Sequence, residues 1–222
     1  MKSLLISTLA RYLVAFAVLA TVIFGSAGSL AFVKGWIYLA TTFSLMGIGF
    51  ALLYSRDKVL LEKRSKTSEK EGPQKVFVAV SVILVSSLYV LPGLDFRFSW
   101  SRAPIWICVA GEFLLILGFL LYLLVMLQNR YASRVVEIQE DQRLIDTGLY
   151  SLVRHPMYSA MILVYIATPL VMGSYIALLP ALLFPFSLAF RISNEEKVLE
   201  KGLAGYAEYK KRVRYRLFPF VW

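Results

Sequence analysis

MYSAMILVYIATPLVMGSYIALLPALLFPFSLAF is the sequence of residues 157–190, an apolar run of about 34 residues. One helical crossing of a bilayer needs about 20 apolar residues, so this run is too long for a single untilted span. Residues that disfavour a continuous helix interrupt it, namely Pro169, Gly173, Pro180 and Pro185. The run therefore predicts a helical hairpin with arms near 157–171 and 175–190, each short for a full crossing.

Four other apolar runs precede the hairpin, near 8–26, 32–54, 75–92 and 104–127, and each is long enough to span a bilayer. The chain is 59% hydrophobic and 17% charged, whereas soluble domains are roughly half apolar and a quarter charged. We therefore expect an all-α integral membrane protein with about five hydrophobic segments, the last a hairpin, followed by an amphipathic C-terminal helix. Residues 1–127 would form four N-terminal spans, and residues 128–222 a C-terminal region that carries the chemistry.

The basic residues predict an orientation, because cytoplasmic loops of membrane proteins are rich in lysine and arginine. Loop 55–75 holds seven basic residues, loop 128–155 holds four, and the chain from Arg191 onward holds eight. If the hairpin returns to the side it left, only Lys34, Arg97 and Arg102 lie on the opposite side. We expect a multi-pass protein with both termini in the cytoplasm. A cleaved signal peptide in the first run is the disfavoured alternative, because that run is long and more spans follow.

Several kinds of site are excluded by what the sequence lacks. Cys108 is the only cysteine and His155 the only histidine, so a zinc site with three or four His and Cys ligands cannot form, and we expect no metal. The sequence contains neither a Walker phosphate loop nor a G-x-G-x-x-G fingerprint, so a nucleotide-like ligand would be held by other means. The net charge of +10 fits cytoplasmic loops better than nucleic-acid binding.

A first group of polar residues stands at the entrance of the hairpin, where residues 148–158 read GLYSLVRHPMY. Proline after His155 suits the first turn of a helix, so the helix N-terminus near Pro156 could receive an anion. The alternative is structural: Arg154 and His155 reach toward lipid headgroups while Tyr150 and Tyr158 form an interfacial aromatic belt.

A second group follows the exit of the hairpin, where residues 191–196 read RISNEE. Arg191 and Glu195 are one helical turn apart, whereas Glu196 lies about 100° further round. Alone, these residues would be a surface ion pair and one solvated acid. The hairpin, however, brings its two ends to the same side of the membrane, so both groups can meet in one pocket at the boundary between water and lipid.

The motifs of residues 129–222 resemble those of the isoprenylcysteine carboxyl methyltransferases and their bacterial and archaeal relatives, which in turn resemble phospholipid N-methyltransferases. The resemblance rests on four motifs taken in order: Asp146 to Tyr150, Arg154 to Tyr158, the spacing from Arg191 to Glu195 and Glu196, and Tyr206-Ala207-Glu208-Tyr209. The family often has proline where Leu149 stands and Phe-Gly where Ala204-Gly205 stands, a departure that bears on substrate and subfamily.

The resemblance implies a membrane methyltransferase that uses S-adenosylmethionine and acts on a lipophilic substrate entering from the bilayer. It implies a cofactor-binding loop before the hairpin, with Gly148, Tyr150, Arg154, His155, Pro156, Tyr158 and Glu196 as cofactor-binding residues. Arg191 would hold the reacting group of the substrate and Glu195 would orient Arg191. Carboxyl O-methylation of an isoprenylcysteine-like group is the reaction implied first.

Other functions remain open at this point. A phospholipid amine or a thiol could accept the methyl group, and an amine would need Glu195 or Glu196 as a base. A relative of membrane sterol reductases would need a nicotinamide cofactor. From a different class, the chain could be a non-catalytic membrane scaffold or a small transporter subunit, although its first four spans offer few charges for a polar conduit. Glu112, in the fourth span, has no partner that the sequence identifies.

Overall fold

The computed structural model describes residues 2–56, 60–61, 72–132, 138–139 and 141–222. Within these residues the chain is helical and contains no strand. The α-helices in these ranges are α1 (Lys2–Ala27), α2 (Val33–Arg56), α3 (Gly72–Phe98), α4 (Ile105–Gln128), α5 (Pro156–Met172), α6 (Leu178–Gly202) and α7 (Tyr206–Arg212), with a 3-10 turn at Gly148–Ser151.

The first four helices each contain a stretch that is long and apolar enough to cross a membrane. These stretches are Thr8–Ala27, Val33–Arg56, Phe77–Phe98 and Ile105–Gln128. Helix α5 is apolar but shorter, as expected for an arm of the hairpin. The prediction of an all-α, multi-pass membrane protein is confirmed.

Helices α5 and α6 form the predicted hairpin and pack against each other. The turn begins at Gly173, whose φ of 74° is left-handed and suits glycine. A Cβ at this position would also overlap the Nζ atom of Lys34. Pro180 stands in the first turn of α6 and does not break it. Pro169 lies inside α5 and Pro185 inside α6, and neither ends its helix. Helix α6 therefore continues through residues 191–196 to Gly202.

The third span is longer than the sequence indicates. The apolar run stops near Pro92, yet α3 continues through this proline to Phe98, as transmembrane helices tolerate when neighbouring groups satisfy the backbone. Helix α1 packs closely on this region, because a Cβ at Gly93 would overlap the Oγ atom of Ser26 and would lie 2.7 Å from the carbonyl oxygen of Ile23. The part of α3 that extends beyond the apolar run is therefore in close contact with α1.

A buried carboxylate fixes the turn of the hairpin to the loop between α3 and α4. Asp95 is 2% exposed. Its Oδ1 accepts from the backbone N–H of Ser101 at 2.6 Å, and its Oδ2 accepts from the hydroxyl of Ser174 at 2.5 Å. The turn therefore lies at the same end of the bundle as loop 99–104, and the two polar groups noted in the sequence lie at the other end.

Two glycines let α4 and α5 pack at short distance. A Cβ at Gly111 would lie 2.7 Å from the Cβ of Leu170, and one at Gly118 would lie 2.8 Å from Val164, so only glycine permits this approach. On the neighbouring face of α4, Glu112 has a partner that the sequence did not identify: the hydroxyl of Thr41 on α2 donates to its Oε1. Glu112 therefore faces protein on at least one side.

The amphipathic C-terminal helix expected after the hairpin is broken in the structure. Helix α6 ends at Gly202, and Gly205, with a φ of 81°, starts the seven-residue helix α7. The break turns the chain so that Tyr206 and Tyr209 are buried. It also sends residues 213–217 back across the entrance of α5.

Candidate active site

The segment before α5 is held by backbone hydrogen bonds to the tail of the chain. The N–H of Arg154 donates to the carbonyl oxygen of Tyr215, and the N–H of His155 donates to that of Arg216, each at 2.9 Å. The N–H of Tyr158 donates to the carbonyl oxygen of His155 at 3.0 Å. These N–H groups are engaged within the protein, so the anion site suggested near Pro156 cannot use them.

Arg154 is a buried cation whose guanidinium is anchored by the tail. It is 6% exposed. Its Nη1 donates to the carbonyl oxygens of Val213 and Arg214 at 2.6 and 2.8 Å, and its Nε donates to Oε1 of Glu196 at 2.7 Å. A reach toward lipid headgroups, the structural alternative considered above, does not describe this side chain.

Glu196 is the centre of this network. It is 2% exposed, and its Oε1 lies 3.2 Å from Nε2 of His155 in addition to its bond with Arg154. Its Oε2 accepts from Arg216, with Nε at 3.1 Å and Nη2 at 3.0 Å. Burial would raise the pKa of this carboxyl, but hydrogen bonds from His155, Arg154 and Arg216 outweigh burial and hold the pKa well below its usual range. Glu196 is therefore a buried anion among cations, not a solvated acid.

Tyr158 links the two groups that the sequence predicted to converge. Its hydroxyl donates to Oε2 of Glu195 at 2.6 Å and accepts from Nε of Arg191 at 2.8 Å. Its ring stacks on His155, with ring centroids 5.7 Å apart. The phenol thus connects the carboxylate and the guanidinium on α6 to the first turn of α5.

A cavity lies on one side of Tyr158. Its volume is about 110 Å³, and about 840 Å³ when the space of its open mouth is included. Five tyrosines line it, together with the charged residues Arg143, Arg154 and Glu195, the polar residues Asn129, Gln142 and His155, and seven apolar side chains. The tyrosines are Tyr131, Tyr150, Tyr158, Tyr206 and Tyr209.

An apolar cluster lies on the other side of Tyr158. Its buried members are Phe77, Tyr158, Ile162, Phe184, Leu188, Ile192 and Leu217. The guanidinium of Arg191 stacks over the ring of Phe77 at 4.9 Å from its centroid. Arg191 is 6% exposed and does not line the cavity, so it lies between the polar cavity and apolar side chains.

The remaining predicted residues have different positions. Tyr150 lines the cavity, where its hydroxyl accepts from Nδ2 of Asn129 at 2.8 Å. Gly148 and Pro156 do not line it. Gly148 has a φ of 58°, and a Cβ there would lie 2.8 Å from the side-chain amide of Gln128, so it shapes the turn that carries Tyr150. Pro156 begins α5. Glu196 lies behind the cavity wall, whereas Glu195 forms part of it.

Residues without a predicted role also contribute to the site. Tyr206 is 3% exposed and lines the cavity, and its hydroxyl has no hydrogen-bond partner among the described residues. Burial, together with the nearby Glu196 and Glu195, raises the pKa of Tyr206 well above its usual range, so the hydroxyl is a donor at neutral pH. The Tyr206 and Tyr209 motif was visible in the sequence. Nothing in the sequence indicated that Arg216 would pair with Glu196.

The chain is similar to known proteins both in its sequence and in its fold. Residues 106–205 match the family model described as phospholipid methyltransferase. The match indicates a membrane methyltransferase. The solved structure of a eukaryotic intramembrane Ras methyltransferase, isoprenylcysteine carboxyl methyltransferase, has a similar fold, with a TM-score of 0.51 and 21% sequence identity over 91% of this methyltransferase and 68% of that chain. No curated protein matches the chain.

The family resemblance found in the sequence is thereby confirmed. Both comparisons indicate a methyltransferase, and neither indicates the scaffold or the reductase considered as alternatives. Among the described residues of the methyltransferase, no three His, Cys, Asp or Glu side chains lie together in a way that could hold a metal. Its polar cavity and its apolar cluster meet at Tyr158.

Proposed function

We propose that the protein transfers a methyl group from S-adenosylmethionine to a lipophilic acceptor, with the carboxylate of an isoprenylcysteine-like group as the first candidate. One observation carries the proposal: Tyr158 bonds to Glu195 at the wall of the polar cavity and to Arg191 beside the apolar cluster. A methyltransferase with a water-soluble donor and a membrane-soluble acceptor needs both environments at one point.

The side chains that line the cavity fit the proposed cofactor in their chemistry. S-adenosylmethionine supplies an activated methyl group on a positively charged sulfonium. Aromatic rings attract cations, and five tyrosines and Glu195 line the cavity. The buried hydroxyl of Tyr206, which has no partner among the described residues, is available to donate to an oxygen or nitrogen of the cofactor. Arg143 supplies a cation that could meet its carboxylate.

The buried network around Glu196 would position the cofactor site without contacting the cofactor through Glu196 itself. The carboxylate holds Arg154 and His155, which line the cavity. In this role Glu196 differs from the cofactor contact implied by the family resemblance. Gly148 and Pro156 would act in the same indirect way, by shaping the turn before Tyr150 and the start of α5.

On the acceptor side, Arg191 is the residue suited to a carboxylate. A guanidinium can bind a carboxylate through two parallel hydrogen bonds, and the neighbouring apolar cluster is suited to a lipid chain. A carboxylate is already ionised at neutral pH, so it needs no base before it attacks a methyl carbon. The contribution of the protein is then alignment, with Tyr158 and Glu195 fixing the guanidinium.

A phospholipid amine is the second candidate, because the matching family model is described as phospholipid methyltransferase. An ammonium must lose a proton before it can accept a methyl group. Glu195, which faces the cavity, is the carboxylate placed to take that proton, whereas Glu196 is saturated by cations. A thiol acceptor would make the same demand. The two candidates therefore assign different work to Arg191 and Glu195.

Calorimetric titration of S-adenosylhomocysteine into the detergent-purified protein tests the cofactor. We expect micromolar binding that weakens several-fold in Tyr158→Phe and is lost in His155→Ala. Tyr175→Phe is the matched control, because Tyr175 is exposed at the opposite end of the hairpin. Absence of binding to folded wild-type protein would refute the proposed cofactor.

Product chemistry then identifies the acceptor. The enzyme is supplied with methyl-labelled S-adenosylmethionine and either an S-farnesylated cysteine with a blocked amine or phosphatidylethanolamine. A methyl ester releases labelled methanol in alkali, whereas a methylamine does not. We expect alkali-labile product, and a large loss of turnover in Arg191→Lys at saturating donor. The amine reaction would be established instead if the labelled product resisted alkali and Arg191→Lys kept normal turnover.

The site is proposed to face the cytoplasm, with both termini on that side. The support is the distribution of basic residues, which places loops 55–75 and 128–155 together with the tail. Labelling of a cysteine introduced at Lys211 in a Cys108→Ala background, with a reagent that cannot cross the membrane, tests this orientation. We expect labelling in inside-out vesicles and none in intact cells.

A further inference from the structure

Residues 216–222 form a closed turn that presents apolar side chains outward. The carbonyl oxygen of Trp222 accepts from the N–H of Arg216 at 2.7 Å and from that of Leu217 at 3.1 Å. The guanidinium of Arg216 also stacks on the ring of Trp222, 4.7 Å from its centroid. We call residues 218–222 the hook. Its base is fixed to the body of the protein, because Leu217 belongs to the apolar cluster and Phe218 packs against it.

The tip of the hook combines exposure with backbone strain. Phe220 is 88% exposed and Val221 is 78% exposed. Phe220 has a φ of 65°, a left-handed conformation that is uncommon for bulky residues. The ring of Phe220 lies against that of Tyr215, with centroids 5.3 Å apart. The protein therefore holds a phenylalanine in an unfavourable backbone geometry while most of its surface stays exposed. Strain of this kind points to a function for the side chain that it presents.

The neighbourhood of the hook identifies what covers the tip. The apolar cluster at its base includes Phe184, Leu188 and Ile192 of α6, and the apolar arm of that helix carries the outward-facing Leu182, Leu183, Phe186 and Phe190. The hook is therefore continuous with the membrane-embedded surface. Lys211 and Arg214, which precede the hook, are exposed. Aromatic and apolar side chains beside cations are typical of segments in the headgroup region of a bilayer.

We propose that the hook is a membrane-contact element, with Phe220 and Val221 inserted at the boundary between the headgroups and acyl chains of the leaflet next to the active site. The inserted tip would be anchored through Arg216, which joins the hook to Glu196. The hook would thereby hold the entrance of the site against the lipid surface from which a lipophilic acceptor arrives. Its insertion itself does not depend on the identity of the acceptor or the cofactor.

Spin-label accessibility tests the proposal in the full-length protein. A nitroxide is attached at position 220 in Phe220→Cys, in a Cys108→Ala background, and the protein is reconstituted in phosphatidylcholine vesicles with and without phosphatidylglycerol. The matched control carries the label in Lys211→Cys, on the same tail. Both native side chains are exposed, so the labels leave the fold intact, as S-adenosylhomocysteine binding or the melting temperature of each variant can verify.

The expected result is that the label at 220 collides with dissolved oxygen more often than with a water-soluble nickel chelate, whereas the label at 211 shows the reverse. If both labels meet the nickel chelate equally, the hook lies in water and the proposal is wrong. If the label at 220 is immobilised and shielded from both reagents, the tip contacts protein, from a second copy or a partner, and the proposal is again wrong.

Discussion

Replacing Glu196 with glutamine tests whether the buried network maintains the site. The substitution keeps the shape of the side chain and removes its charge. In the native protein, one oxygen of Glu196 accepts from Arg154 and lies next to His155, and the other accepts twice from Arg216. A glutamine retains one acceptor oxygen and places an NH2 group against a cation that needs an acceptor.

The expected cost follows from these contacts. Hydrogen bonds to charged groups contribute about 1.5–3 kcal/mol each, and breaking a buried ion pair by removing one partner costs about 3–5 kcal/mol. Arg154 keeps its bonds to the carbonyl oxygens of Val213 and Arg214, which lowers the cost of losing its carboxylate. We therefore expect Glu196→Gln to lower the free energy of unfolding by about 3 kcal/mol. For a chain of this length, that corresponds to a melting temperature lower by about 6–12 °C.

Glu200→Gln is the matched control. Glu200 lies one turn further along α6 and pairs with Lys210 at 2.5 Å, but both side chains are 37% exposed. Exposed ion pairs contribute about 0–1 kcal/mol, so the control should change the melting temperature of the detergent-solubilised protein by no more than about 4 °C. Equal melting temperatures for the Glu196 and Glu200 variants would refute the idea that Glu196 stabilises this network.

The pH dependence has a definite sign. The pKa of Glu196 is lower in the folded protein than its usual value of about 4.3. Its stabilisation is therefore complete above pH 4.3 and is lost as the pH falls toward the folded-state pKa. The difference in melting temperature between wild type and Glu196→Gln should be constant from pH 8 to pH 5 and should narrow below about pH 4. A difference that widens in acid would contradict the assigned direction.

Two further substitutions test the cavity and its supporting turn. Tyr206→Phe should weaken calorimetric binding of S-adenosylhomocysteine by about 2–12-fold, which is the effect of losing one neutral hydrogen bond. Tyr215→Phe, outside the cavity, is the control and should leave the affinity unchanged. Equal affinities for both variants would exclude Tyr206 as a ligand contact. Gly148→Ala should destabilise the protein by about 1–2 kcal/mol in thermal unfolding, because φ is positive there and Gln128 is close. Gly25→Ala is the control, because Gly25 lies in a helix with nothing within 4 Å of the new Cβ, and it should stabilise the protein by about 0.5–1 kcal/mol. If both substitutions changed the free energy of unfolding in the same direction, the strain at Gly148 would be refuted.

The hairpin and the meeting of its two ends could be predicted from sequence because they depend on length and hydropathy. A run of about 34 apolar residues is too long for a single untilted span, and a hairpin must return its ends to one side. Pro180 was a less reliable guide to where the helices end, because it lies in the first turn of α6, where proline is tolerated. The proline at 92 marked the end of an apolar run but not the end of α3.

The assignment of the two acids on α6 could not be made from sequence. Helical geometry places Glu195 and Glu196 about 100° apart, so only one can face the cavity. Which one does depends on the rotation of α6 about its own axis, and tertiary packing sets that rotation. The hydrogen-bond partners of Glu196 come from residues 154–155 and from Arg216, about 40 positions before it and 20 after it. The path of the tail across α5 decides this arrangement, and no local pattern encodes it.

Tyr158 explains why the hairpin and the tail must be positioned together. Its hydroxyl has one proton to give and gives it to Glu195, so it can accept from Arg191 at the same time. Removing that hydroxyl would leave a carboxylate at the cavity wall and a guanidinium 6% exposed without the group that links them. In the proposed reaction these residues belong to different ligands, the donor on one side and the acceptor on the other. A single phenol at the first turn of α5 therefore couples the two sites, and the tail, which fixes the residues just before that turn, determines where the phenol lies.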